Sequence, residues 1–136
     1  MSKAILVIYW KKKNLNKKKE LCEKFIKYRN LWKEQPLNII NGNKKNYKDE
    51  IKKIRPLCID LEVASICDLA CPHCFREYLA TPDKIIDINL AKKIIDQAAE
   101  IGVYSIKFNW RGEPLLNPKL PELIYYSKKK GIIETI

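Results

Sequence analysis

Long apolar runs are missing from this chain of 136 residues. Nothing in it approaches the roughly 18–20 consecutive apolar residues needed to cross a bilayer. The short apolar run over residues 4–10 is followed at once by Lys11, Lys12 and Lys13. An export signal carries its charge before the apolar core and small residues after it, so this run reads as a strand and the chain is expected to be cytoplasmic, with no membrane partner. Glycine occurs only four times, and there is no internal repeat, which excludes collagenous and repeat architectures. Histidine occurs once, at His73. Arginine is scarce, four against 23 lysines. Recognition of phosphates or base edges tends to enlist arginine for its bidentate geometry, so nucleic acid is an open but not a favoured partner.

What remains is ordinary globular material, 46% hydrophobic and 32% charged, with a net charge of +11. The charge is uneven. Residues 1–55 hold 17 basic and 5 acidic residues, whereas residues 56–136 hold 10 and 11. A basic segment can attract a polyanion; the simpler reading is a solvated lysine-rich face.

The chain changes character at Pro56. Before it, residues 4–10 read as a strand. Residues 15–33 read as a helix with Leu21, Cys22, Phe25, Arg29 and Trp32 on one face, stopped by Pro36. Residues 36–55 have linker composition, with a short basic helix from Tyr47 to Ile54. After Pro56, the alternation of Leu57, Ile59, Leu61 and Val63 predicts a strand, and a cysteine-rich loop follows over residues 65–76. Asp87 fits the N-cap of a helix over residues 88–101 that ends at Gly102. A strand over residues 103–109 comes next, with Tyr104, Ile106 and Phe108 on one face. The loop 110–118, a helix over residues 119–130 with Pro121 in its first turn, and a strand from Ile132 complete the series. Alternation at this spacing implies parallel strands joined by helical crossovers, with chemistry gathered at the carboxyl ends of the strands. The cysteine loop and the loop at Arg111 should therefore share one rim.

Five cysteines, an odd number in a chain without an export signal, argue against a disulfide framework. Cys22 on a helix face and Cys58 in a strand read as small packing residues. Cys67, Cys71 and Cys74 fall within eight residues, and such clustering points to a metal. Thiolates suit iron–sulfur clusters, zinc or Cu(I). A structural zinc site wants four ligands; His73 is adjacent to Cys74 and chelates the same ion poorly, so zinc would have to borrow Cys22 or Cys58. Three thiolates fit a cubane in which one iron lacks a protein ligand, where electron-transfer clusters have a fourth cysteine.

The run Cys67-Asp-Leu-Ala-Cys71-Pro-His-Cys74, placed directly after a strand, resembles the C-x3-C-x2-C signature of the radical S-adenosylmethionine (radical SAM) enzymes. Asn109-Trp-Arg-Gly-Glu-Pro-Leu-Leu-Asn-Pro118 resembles the Gly-Gly-Glu-Pro loop of that family, in the place expected for it, and the nearest likeness is to the branch that often carries a C-terminal SPASM extension. The resemblance covers about residues 57–136. It implies a [4Fe–4S] cluster on Cys67, Cys71 and Cys74. The open iron would take the amino and carboxylate groups of S-adenosylmethionine. Reductive cleavage would give a 5′-deoxyadenosyl radical that abstracts hydrogen from a substrate, with a flavodoxin or ferredoxin as electron donor. His73 stands where the family usually has an aromatic residue against the adenine. Gly112 and Glu113 match the loop that receives the methionyl amino group, and Pro114 would stiffen it. Arg111 replaces the family's first glycine, and either meets a carboxylate of cofactor or substrate or pairs with a neighbouring acid. Asp60, Glu62, Lys107 and Asn109 lie on the polar faces of their strands and would touch substrate if those faces line a barrel. The bland readings are a solvated charge for Glu113 and a plain turn residue for Gly112.

The implied fold is α/β: the first two to three β/α units of a partial (β/α)6 radical SAM barrel, residues 56–136, preceded by a basic α+β segment, residues 1–55. Eight β/α units take about 250 residues, so six would take about 180–190, against 81 in residues 56–136. The expectation is an N-terminal part of such an enzyme acting on a peptide, sugar or RNA. The competing expectations are a nucleic-acid-binding module with a structural metal site and a non-catalytic truncated remnant.

Overall fold

A computed structural model describes residues 15–41, 54–78 and 82–135. The strand expected over residues 4–10 lies outside them, as does the helix expected from Tyr47 except at its last residue. Helix α1 spans Leu15–Asn41. Strand β1 (Cys58–Asp60), helix α2 (Ile88–Glu100), strand β2 (Ser105–Lys107), helix α3 (Leu120–Lys129) and strand β3 (Glu134–Thr135) follow in that order. Short 3-10 turns at Phe75–Tyr78 and Pro114–Leu116 lie in the two loops after β1 and β2. No helix among the described residues is long and apolar enough to cross a membrane.

The strands form one parallel sheet in the order β1-β2-β3. Cys58, Ile59 and Asp60 lie opposite Ser105, Ile106 and Lys107, and Ser105 and Ile106 lie opposite Glu134 and Thr135. The strand–helix alternation predicted after Pro56 is thus observed. α2 begins where expected because the Asp87 carboxylate accepts the Asn89 and Leu90 amides at 3.0 and 2.9 Å, satisfying donors that a helix N-terminus leaves unpaired. At its other end Gly102 takes φ +83°, a left-handed conformation open to a residue without Cβ.

The apolar face of α2 (Ala91, Ile95, Ala98) and that of α3 (Leu120, Leu123) close over one side of the sheet on Leu61, Val63, Val103, Ile106, Phe108 and Ile132. Ile95, Ile106 and Leu123 are wholly buried. On the outer surface the two helices are pinned together by ion pairs. Lys92 meets Glu122 at 2.6 Å and Lys130 meets Asp96 at 2.6 Å, while the Tyr126 hydroxyl donates to the Asp96 carboxylate at 3.0 Å. The hydrogen bond from Lys130 holds the Asp96 carboxyl below its ordinary value against the opposing effect of desolvation, with Tyr126 adding to the lowering; Lys92 does the same for Glu122.

Three local expectations are corrected. β2 is shorter than residues 103–109, and Tyr104 does not share the face of Ile106. The Leu57 carbonyl accepts from both Tyr104 N–H (3.0 Å) and Ser105 N–H (3.2 Å), so regular alternation starts only at Ser105, with Val103 in the core and Tyr104 turned to α1. Pro36 does not stop α1, which runs on to Asn41. A proline forfeits one backbone hydrogen bond, and here the helix continues through it, with Gln35, Pro36 and Ile39 on one side of an open cleft whose other side is formed by Ile54–Cys58. The protected face of α1 is also not the predicted one: it carries Leu21, Tyr28, Leu31, Gln35 and Ile39, while Cys22 and Arg29 are exposed and Phe25 and Trp32 are 43% and 49% exposed. Tyr28 sets this orientation. Its ring stacks on Tyr104 at 5.6 Å and it is 3% exposed. Burial pushes the Tyr28 phenol up, with the nearby Ser105 hydroxyl opposing; Ser105 Oγ itself finds no partner of hydrogen-bonding geometry among the described residues. Cys22 is therefore not a packing residue, whereas Cys58 is half-buried within β1 as expected.

Two outcomes follow for stability. Leu123→Ala should cost about 2–5 kcal/mol, as for other large-to-small changes at a fully buried site, read as a lower urea midpoint at unchanged slope. Acid should also weaken the fold. Carboxyls depressed in the folded chain are protonated first in the unfolded one, so their contribution is complete above the ordinary range of roughly 3.9–4.3 and is lost as pH falls through the depressed values. The thermal midpoint should fall between about pH 5 and about pH 3, and should fall less in Asp96→Asn/Glu122→Gln; an equal acid response in that variant would show that these two pairs are not its source.

Candidate metal centre and its neighbouring loop

Because β1 and β2 are parallel neighbours, the segments leaving their carboxyl ends emerge on the same rim. From β1 the chain passes through buried Val63, Ala64 and Ser65 before opening into the cysteine loop. The base of that loop is closed. Ala64 bridges Ile85 antiparallel, Ser65 N–H donates to the Lys84 carbonyl at 2.8 Å, and Ser65 Oγ donates to the Pro82 carbonyl at 2.7 Å and accepts the Lys84 amide at 2.9 Å. Arg76 staples it from within: Nε donates to the Ser65 carbonyl at 2.9 Å, and Nη2 pairs with Asp83. Sequence reasoning gave no role to Ser65 or Arg76. Their partners are 7 to 19 residues away in the chain, and no local pattern carries that information.

Cys67 and Cys74 are half-buried and Cys71 is exposed, all three as free thiols. Cys74 N–H donates to the Cys71 carbonyl at 3.1 Å, closing a turn between them. His73, which is exposed, lines a hollow of about 260 Å³ with Pro72, Cys74, Phe75 and Tyr78. Among the described residues no three side chains of the ligating types are gathered as a metal site, so the loop presents donors without holding them in ligating positions. The donor set nevertheless fits an iron–sulfur cluster by its chemistry: three soft thiols within eight residues, unpaired and in reach of solvent.

The second loop is docked against the approach to these cysteines. Glu113 N–H donates to the Ile66 carbonyl at 2.9 Å. Gly112 lies so close to the same segment that a Cβ on it would stand 2.2 Å from the Ala64 carbonyl oxygen and 2.7 Å from that of Ile66. Gly112 is thus a contact residue between the loops, and not only a turn residue. Glu113 caps the 3-10 turn that begins at Pro114, with Oε1 accepting the Leu115 amide at 2.9 Å. Asn117 sits behind it, 2% exposed. Its Nδ2 donates to the Val63 carbonyl at 3.0 Å and its Oδ1 accepts the Lys119 amide at 2.8 Å. The sequence places Asn117 only within the loop 110–118; its bond to Val63 spans 54 residues and has no local signal.

Of the two partners open to Arg111, the structure selects an acid. Its guanidinium grips Glu62 with two bonds, Nε–Oε2 at 2.7 Å and Nη2–Oε1 at 2.9 Å. The hydrogen bonds from Arg111 hold the Glu62 carboxyl below its ordinary value against the opposing effect of burial, and Glu62 raises the guanidinium in turn. One step down the strands, Lys107 faces Asp60 at 3.7 Å. Asn109 is exposed.

The parallel β/α series, its three thiols after the first strand and the Gly-Glu-Pro loop docked beside them carry the resemblance to the radical SAM class, and this chain is a homologue of radical SAM enzymes. In particular, it is 36% identical over 78 residues to a GTP 3′,8-cyclase of Chlorobaculum tepidum, a match covering 57% of this chain and 23% of that protein. It is 35% identical over 82 residues to a PqqA peptide cyclase of Xanthomonas oryzae pv. oryzae, covering 60% and 22%. The chain therefore spans less than a quarter of the length of these curated relatives. In fold it is similar to BtrN, solved in complex with AdoMet and 2-DOIA, with a TM-score of 0.52 at 24% identity over 57% of this chain and 32% of that one. No family model matches the sequence.

Gly112→Ala should force the two loops apart, because the atoms in its way are backbone and cannot swing aside. The Glu113 amide should lose its protection from hydrogen exchange while that of Ile95 in the core is kept. Unchanged protection at Glu113 would refute the close approach.

Proposed function

We propose that this chain carries the cluster loop and one cofactor loop of a radical SAM enzyme, within the first two to three β/α units of a partial (β/α)6 barrel of the SPASM-like branch. The observation that supports it most is the joining of the three-cysteine loop to the Gly112-Glu113-Pro114 loop through the Glu113–Ile66 hydrogen bond. In this reading Cys67, Cys71 and Cys74 ligate a [4Fe–4S] cluster. The bound group supplies reductive cleavage of S-adenosylmethionine and hydrogen abstraction from a substrate, with electrons from a flavodoxin- or ferredoxin-like donor.

The chain's own residues have separate tasks. The closed base at Ser65 and Lys84 and the Arg76 staple restrict the cysteine loop before any metal arrives. The Glu113 carboxylate keeps acceptor capacity beyond its bond to Leu115, and accepts the methionyl ammonium as a charge-assisted partner. Pro114 holds the 3-10 turn behind it, and His73 offers a flat ring beside Cys74 for the adenine. Asp60 and Lys107 belong to the same rim and face a substrate drawn from peptides, sugars or RNA.

Anaerobic reconstitution with iron and sulfide should give a brown protein with roughly four irons per chain, and S-adenosylmethionine should perturb its spin-resonance spectrum. Cys67→Ala, Cys71→Ala or Cys74→Ala should each abolish the colour, whereas Cys22→Ala and Cys58→Ala should keep it. A colourless parent protein would sink the reading, and dependence on Cys22 or Cys58 would favour a four-ligand zinc site.

A further inference from the structure

The segment after β1 meets the second loop at every other residue. Glu62 takes Arg111, Ala64 takes Gly112, and Ile66 takes both Gly112 and Glu113. Two of these rungs are backbone contacts. The first is made by side chains alone, a fork-to-fork pair at 2.7 and 2.9 Å. Its geometry is specific: only a planar guanidinium presents two parallel donors to one carboxylate. Its energetic contribution to global stability is small, since Arg111 and Glu62 side chains are 38% and 22% exposed and ion pairs at such sites are screened by solvent. What the pair does is fix position. It engages the residue immediately before Gly112, on the side of the loop opposite the Glu113–Ile66 bond, so the short piece 111–113 is held at both ends.

We propose that Glu62 and Arg111 form a positioning clamp that fixes the 111–113 loop against the segment leading from β1 into the cysteines, so that the Glu113 carboxylate is preorganised for the amino group of S-adenosylmethionine. The use of Glu113 in this way rests on the function proposed above; the clamp itself does not. Glu62 and Arg111 are positioning residues. Each acts through the loop, which spares the cofactor the ordering entropy of a mobile acceptor. The arginine in place of a glycine thus exchanges backbone freedom for a side-chain tether.

The test uses the full chain and has two arms. In the metal-free protein, Glu62→Gln and Arg111→Gln should each raise hydrogen exchange at the Glu113 amide, which donates to the Ile66 carbonyl, about tenfold, a change of about 1.4 kcal/mol in local opening. The charge-swapped Glu62→Arg/Arg111→Glu protein should return toward parental rates. Lys107→Ala, which removes the neighbouring 3.7 Å pair, should leave that amide as it was, and Ile95 should stay protected throughout. In the reconstituted protein, the single variants should keep the parental iron content but need about tenfold more S-adenosylmethionine to reach the same spin-resonance change. Parental exchange rates in both single variants overturn the clamp, as does failure of the swap to restore them. Iron lost from the variants also overturns it, by making the pair a support of the cluster loop. If the parent takes up no cluster, the functional reading fails while the exchange arm still decides the clamp.

Discussion

The approach of Gly112 to the Ala64 and Ile66 carbonyls is the contact on which the rim depends. Parallel strands can be joined only through long crossovers, so the loops after β1 and β2 are far apart in the chain and have no covalent reason to meet. They meet because a residue without a side chain lets two backbones touch, and because the Glu113 amide then finds the Ile66 carbonyl. Asn117 secures the arrangement from behind by reaching the Val63 carbonyl. Residues 63–66 thereby serve as both the end of the core and the floor of the site.

The two sides of the sheet are held by different forces. On one, α2 and α3 bury a continuous aliphatic cluster, where stabilisation grows with the apolar area removed from water. On the other, α1 engages through Tyr28 on Tyr104. Its remaining exposed surface includes Phe25, Ile26 and Trp32, in the part of the chain that carries the excess of lysine. The basic excess is thus a property of the segment outside the β/α series, where the charge is close to balanced.

Much of the β/α series was legible because its signals are local. Asp87 announces a helix through bonds to residues two and three positions on, and Gly102 marks its end through its own φ. The alternation of Leu57 to Val63 and the periodicity of Ala91, Ile95 and Ala98 report which face meets a core. The same reasoning failed on α1, where a stripe from Leu21 to Trp32 fitted helical spacing but the buried residue proved to be Tyr28. Periodicity shows that a helix has faces; which face is covered depends on what the rest of the chain brings to it. Pro36 misled because a proline costs a helix one hydrogen bond without having to end it, and α1 runs on to Asn41.

By itself the sequence determined the order of elements, the parallel rim and the three thiols with the Gly-Glu-Pro loop beyond them, since each rests on spacing and on residue chemistry. Only the tertiary structure decided that Arg111 is committed to Glu62, that Ser65 and Arg76 close the cysteine loop, and that Gly112 is a point of contact. Those outcomes depend on pairs separated by 7 to 49 residues, and such partners are chosen by the geometry of the packed sheet.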